Sequence, residues 1–234
     1  LIALIALIGV IPYLALQYKA VAMSLQVLSA EQGSDPGFWQ DPALYVALMM
    51  AVFAILFGAR RVDATERHHG MMLAIALESV VKLVAITAVG VFAWMLLKNS
   101  GNAPLVAIKT LFHQDTLPGG FLAQTVLSLL AMLCLPRQFH VAVVECGDVA
   151  DVRRARWLFT SYLVVISLAV LPIASAGVLL LGVDGSTADS LVLGLPLAEG
   201  QRVLALVAYI GGFSAATGMV VVSSIALATM VSND

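Results

Sequence analysis

The residues able to do chemistry in this chain are few, and most of them stand inside apolar sequence. In LCLPRQFHVAVVEC (133–146), Pro136, Arg137, Gln138 and His140 close a stretch that is mostly apolar back to Phe121. A proline inside a helix removes one backbone donor and crowds the preceding turn, so the helix should bend or open near residues 132–136. Freed carbonyls and amides at such a break suit the binding of a small polar solute, as in transporters built on discontinuous helices. Gln138 and His140 follow directly and supply side-chain donors and acceptors. The alternative is that Arg137 and His140 lie at the membrane edge and snorkel to water.

Three further pairs share helix faces. Tyr13 and Gln17 are four residues apart, just beyond Pro12 and beside Lys19, and suit either solute contact or hydrogen bonding between helices. Glu78 and Lys82 are also four apart, with the acid on the N-terminal side, the better order for a helical ion pair. Counting about 1.5 Å per residue from Gly70, Glu78 lies roughly 12 Å and Lys82 roughly 18 Å into the membrane. They read equally as a self-neutralised structural pair and as an ion-coupling or proton-linked pair. In GGFSAATGMVVVSSIALATMV, Ser214 and Thr217 share a face and could offer hydroxyl oxygens to a small cation. The small residues around them, Gly211, Gly212, Ala215, Ala216 and Gly218, also suit plain close packing. Ionisable residues within spans usually face a protein interior or a water-filled cavity.

Composition identifies the elements that must position these groups. The chain of 234 residues is 61% hydrophobic and 11% charged, with a mean hydropathy of +1.01. A soluble domain carries about 25% charged residues. Runs of about 20 apolar residues cross a hydrocarbon core of roughly 30 Å as helices. Six can be read, at 1–29, 42–58, 71–97, 120–145, 157–182 and 202–230. The short alternating strands of a membrane barrel do not appear. The expected fold class is all-α and polytopic, one membrane domain with six transmembrane helices. The chain opens on LIALIALIGVI without an initiator Met or a basic leader, so it is expected to be a piece of a longer protein rather than to carry a signal peptide.

Charge sidedness gives an orientation. Arg60, Arg61 and Arg67 follow run two, and Arg153, Arg154 and Arg156 follow run four; the opposite loops carry Lys98 and Lys109, with Arg202 at the edge of run six. The arginine-rich loops are expected in the cytoplasm, with both ends of the segment. His68 and His69 then belong to a solvated basic face. Cys134 and Cys146 read as two unpaired thiols rather than a metal or disulfide site. No HExxH, GxSxG, phosphate-binding loop, heptad seam or basic stripe for nucleic acid is present, and no residue here reads as catalytic.

Four stretches in one order carry a resemblance: IPYLALQYKAVAMSLQVL, FGARRVDATERHHGMMLAIALESVVKLVAITAVGVF, LPRQFHVAVVE and GGFSAATGMVVVSSIALATMVSND. Together they resemble the sodium/solute symporter-type membrane domain at the N-terminus of certain bacterial hybrid sensor histidine kinases. The resemblance implies two inverted five-helix repeats of the leucine-transporter type, with the six runs as core helices three to eight. Core helices one and two and nine and ten would then belong to missing parts of the same chain. It also implies a bacterial inner-membrane location, a small polar solute of the amino-acid class, and Na+ or H+ as coupling ion. A cytoplasmic kinase with its own ATP and a response regulator would be partners of the parent protein, and a plain symporter without a signalling role is the alternative.

Residue by residue, Tyr13 falls where proline/sodium symporters place a tyrosine that lines the substrate site. Asp63 matches an acidic residue linked to sodium use. Gln138 and His140 match the Gln and His of the family's Gly-Gln-Pro-His motif, although Phe139 stands where the motif has proline and Pro136 lies three residues earlier. The family's arginine four residues after the histidine is Val144 here. Ser214 matches the first of two adjacent hydroxyl residues that hold sodium, while the second is Ala215. The resemblance therefore implies that the ammonium of Lys82 occupies or adjoins a vacated cation position and donates to Ser214 and Thr217. The competing expectation is that Glu78 and Lys82 neutralise each other and Thr217 repairs the sodium site.

Overall fold

The structure is a computed structural model and describes residues 2–29, 39, 41–57, 69–101, 103–111, 120–182 and 189–232. Helices run over α1 (Ile2–Ser29), α2 (Pro42–Phe57), α3 (His69–Asn99), α4 (Pro104–Leu111), α5 (Phe121–Cys134) and α6 (Pro136–Phe139). After a π-helical turn (His140–Val144) come α7 (Val149–Leu180), α8 (Leu191–Ala198) and α9 (Arg202–Ser232). Among the described residues there is no strand. Asp63, with Arg60, Arg61, Arg67 and His68, lies outside the described residues.

Among the described residues four helices, α1, α3, α7 and α9, are long and apolar enough to cross a membrane. The stretches Phe121–Ala131 and Pro136–Val144 meet at 48° and make a fifth crossing if they form one broken span. Run two falls short of expectation among the described residues: α2 has 16 residues, a rise of about 24 Å against a core of roughly 30 Å. The long helices leave apolar stripes outside. Leu73, Leu77, Val80 and Val84 recur on one face of α3, and Trp157, Leu158 and Leu168 on α7, all more than half exposed. In water such stripes would be costly, whereas lipid tails are their natural partner. The chain is a helical membrane-embedded protein.

Two apolar clusters hold the helices together. Val89, Ala93 and Leu97 of α3 pack with Ile173 and Ala176 of α7, Leu191 and Leu195 of α8 and Ala208 of α9. Val21 of α1 packs with Val46 and Met50 of α2 and Ala216 and Val220 of α9. Small residues bring the backbones close, as helix association in lipid requires. A Cβ on Gly90 would stand 2.8 Å from the carbonyl oxygen of Ala169, and one on Gly211 would stand 2.5 Å from Ala85 Cβ.

Three element boundaries depart from the sequence expectations. α7 begins at Val149 because the Asp148 side chain caps it, accepting from the Ala150 amide at 3.0 Å. Arg153, Arg154 and Arg156 therefore ride on the first turns of a helix rather than in a loop. The segment after run three contains α4, which has proline at its first helical position, where the missing N–H is not needed. The segment after run five contains α8, whose Leu191, Leu193, Leu195 and Pro196 are buried. Eight residues carrying Gly194 and Pro196 give no helical periodicity long enough to read. The Leu191 side chain fills the space above Gly177, where a Cβ would lie 2.5 Å from it.

Candidate functional site

Polar side chains within the helices fall into two groups. Most hydroxyls satisfy themselves. Ser79 donates to the Ile75 carbonyl at 2.9 Å, Ser175 to Leu171 at 2.8 Å and Thr217 to Phe213 at 2.9 Å. Such bonds to the preceding turn close the polarity within one helix. Tyr13, Gln17, Lys82, Arg137 and Tyr209 have no such local solution, and they gather where α1, α3, α6 and α9 meet.

The break that Pro136 introduces creates this meeting point. Leu135 is extended, with φ −72 and ψ 124, so α5 stops and α6 restarts with proline at its first position. The restart carries Arg137 against α1, where its guanidinium lies 4.1 Å from the centroid of the Tyr13 ring. The Tyr13 hydroxyl donates to Met219 Sδ of α9 at 2.7 Å. The ring is thus fixed between a cation on its face and a thioether at its edge.

Lys82 and Glu78 are near enough to interact electrostatically but do not close into a contact pair. Among the described residues no ion pair within 4 Å joins them. Instead the Glu78 carboxylate lies on Gly218 of α9, in the space a Cβ would need, while Gly211 packs on Ala85 about two helical turns away. Glu78, Lys82 and Ala85 share one face of α3, and Gly218 and Gly211 lie along α9 in the reverse order, so the two helices run antiparallel. The close contact of α9 takes the carboxylate, and Lys82 is left to line open space beside it.

That space is a string of three cavities. The middle one, about 430 Å³, is lined by Tyr13, Gln17, Ser24, Lys82, Arg137 and Tyr209 among others. A second one of about 270 Å³ shares Ser24, Lys82, Tyr209, Gly212 and Ala215 with it and reaches Asp189. A third of about 190 Å³ shares Tyr13 and Arg137 and ends at Ser223 and Leu227. Lys82 and Arg137 thus stand at the two junctions. Ser223 is 1% exposed, and its hydroxyl has no hydrogen-bond partner among the described residues. Volumes of this order accommodate small metabolites.

The structure therefore brings together Tyr13, Gln17 and Lys82, and adds Arg137, Ser24, Tyr209 and Ser223. It does not bring Gln138, His140, Ser214 or Thr217 to the lining of these cavities. His140 is buried in the π-helical turn with Nε2 3.5 Å from Glu145 Oε1, and Glu145 is buried too. The π turn places residues five apart over one another, which is why this pair forms here. Beside Lys82 the lining residue of α9 is Ala215 rather than Ser214, and the Thr217 hydroxyl is turned to its own helix. Arg137 was legible as a charge at a helix break, but its stacking on Tyr13 depends on a contact between distant parts of the sequence. Glu145 carried no signal at all, because its partner spacing belongs to a π turn. Among the described residues no group of three metal-ligating side chains is present. Cys134 and Cys146 are free thiols. Comparison with known protein families, with characterised proteins and with solved structures returns no match.

Proposed function

We propose that this chain is the central part of a transporter-like membrane module that binds or moves a small polar solute of the amino-acid class. The observation that carries the proposal is the string of cavities between α1, α3, α6 and α9. Its polar lining is assembled from four separate helices and interrupted by the Pro136 break. Polar groups in lipid are costly, so a protein with only packing to achieve has no use for them around an empty space. In this proposal α2 and the bent α5–α6 pair complete six crossings in a partial leucine-transporter-type arrangement, in the inner membrane of a bacterium with both ends cytoplasmic. Missing core helices one and two and nine and ten close the site in the parent protein. Na+ or H+ is the coupling ion, with Glu78, Lys82 and Asp63 as the candidate coupling residues. A cytoplasmic histidine kinase reads the state of the module and passes it to a response regulator.

A ligand can shift such a state only through differential affinity for two arrangements of the domain. The test uses the complete protein in proteoliposomes, with uptake and binding of a radiolabelled amino-acid mixture measured in sodium and in choline across a pH series. Histidine phosphorylation is followed in parallel. Solute-dependent phosphorylation supports the sensor, uptake without it supports a plain symporter, and neither binding nor uptake overturns both. Orientation is checked separately: a cysteine at Asp151, beside the Arg153 cluster, is expected to be labelled only from the cytoplasmic side.

A further inference from the structure

The first turns of α7 carry positive charge on a face that the rest of the helix gives to lipid. We infer that Arg153 and Arg156, with Trp157 beside them, form a binding site for the phosphate headgroup of an anionic phospholipid. The site is separate from the cavities described above and stands whether or not they hold a solute.

Helical spacing divides α7 into two faces. Tyr162, Ile166, Ala169, Ile173 and Ala176 fall on one, and it packs inward. Ala169 meets Gly90 of α3, and Ile173 and Ala176 join the core with Val89 and Ala93. Arg153, Trp157, Val164 and Leu168 fall on the opposite face with Arg156 at its edge, and all of them are exposed. Val164 and Leu168 meet lipid there, so the arginines further along the same stripe stand at the lipid boundary rather than against the protein. The acids of these turns lie elsewhere. Asp148 caps the helix, and Asp151 falls on the packing side, three residues from Arg154. Among the described residues Arg153 and Arg156 make no ion pair.

Depth puts these charges at the level of the headgroups. α7 runs on to Leu180, and a hydrocarbon core of roughly 30 Å takes about 20 residues, so the apolar slab begins near Thr160. Trp157 then lies about 4–5 Å outside it, where indole rings anchor at membrane interfaces. Arg156 and Arg153 lie about 6 and 10 Å outside, among the headgroups and in the water just beyond. The Arg156 guanidinium is 5.6 Å from the centroid of the Trp157 ring. Stacking holds the planar fork beside the indole and leaves its N–H edge for phosphate oxygens, which it can meet two at a time. A zwitterionic headgroup carries the same phosphate with a cation attached, and two arginines repel that cation. Charge complementarity therefore selects the anionic lipid.

The test reads lipid contact at Trp157 itself. The complete protein, with every other tryptophan (Trp39 and Trp94 among them) replaced by phenylalanine, is placed in phosphatidylcholine nanodiscs. Quenching of Trp157 is then titrated with brominated phosphatidylglycerol and with brominated phosphatidylcholine. A preference of about fivefold or more for the anionic lipid is expected, since one basic residue near an anionic surface contributes about that factor. The preference should fall toward one in Arg153→Gln with Arg156→Gln and stay nearly unchanged in Arg154→Gln. A ratio near one in the parental background overturns the inference, as does a ratio that survives the double glutamine change. A loss on Arg154→Gln as large as on the double change overturns the assignment to the lipid-facing pair. Absence of quenching by either lipid means that protein covers this face, and rules out the lipid site as well. If millimolar inorganic phosphate removes the preference where chloride at equal ionic strength does not, the site takes the free anion and the lipid is excluded. Should the tryptophan replacements unfold the protein, native mass spectrometry of the otherwise unaltered protein reads the same comparison. Phosphatidylglycerol retained by the parent and lost from the double glutamine variant is the expected result, and equal retention overturns it.

Discussion

The two faces of α3 solve the same problem in opposite ways. Toward α7 and α8 the helix is sealed. Val89, Ala93 and Leu97 are fully buried, and Gly90 lets the Ala169 backbone come so near that no side chain fits between them. Toward α1 and α9 the same helix presents Glu78 and Lys82, and there the packing opens into cavities with polar walls. The difference teaches that close packing is selective even within one interface. On the α9 side Gly211 and Gly218 seal against Ala85 and Glu78, so the open space is confined to the wedge in front of Lys82. Dispersion and close backbone approach hold the sealed face. The open face gives up part of that contact for a chamber that can hold something.

The largest expected effect would break the sealed face. Gly90→Leu must displace the Ala169 backbone. It is expected to destabilise the domain by about 3 kcal/mol or more, the upper range for overpacking, seen as lost thermal stability and monodispersity in detergent. Next, Tyr13→Ala and Gln17→Ala on the open face are expected to leave folding nearly intact while weakening solute binding by about 1–3 kcal/mol, the cost of stranding a buried polar partner. Affinity unchanged in both variants would remove them from the site. A smaller change sharpens the contrast within the α3–α9 contact. Gly218→Ala is expected to cost about 1 kcal/mol, because Glu78 must move, and most of that loss should vanish in the Glu78→Ala background when a double-mutant cycle is measured by chemical unfolding. The smallest effect belongs to Thr217→Val. With its hydroxyl bonded to its own helix, the change is expected within ±0.5 kcal/mol, with solute affinity unaltered. A large loss of sodium dependence in that variant would instead return Thr217 to an ion site.

Much of this contrast was legible residue by residue and not as an arrangement. Pro136 predicts a break near residues 132–136, and the extended Leu135 lies there, because a missing donor and a ring clash act within a single turn. The Tyr13 and Gln17 spacing predicts a shared face, and both line one cavity. The Glu78 and Lys82 spacing is equally local, and the two interact electrostatically without a contact within 4 Å among the described residues. Gly218 on a helix about 140 residues further along the chain opens a competing position for the carboxylate, and helical spacing alone cannot rank the two. His140 likewise reads as a binding residue beside a break, while the π turn lays it against Glu145.

What the sequence by itself determined is the solvent and the helices. Apolar composition over runs long enough to cross lipid, with backbone groups that must be satisfied inside each segment, leaves helices as the available solution. It also determined where one of them is interrupted. Only the tertiary structure decided which polar groups share a chamber. That choice depends on where small residues allow helices to close: at Gly90 on Ala169, at Gly211 on Ala85 and at Gly218 on Glu78. Packing in lipid has little hydrophobic driving force between helices, so the fit of these few surfaces, rather than any pattern along one helix, places Lys82, Arg137 and Tyr13 around the same space.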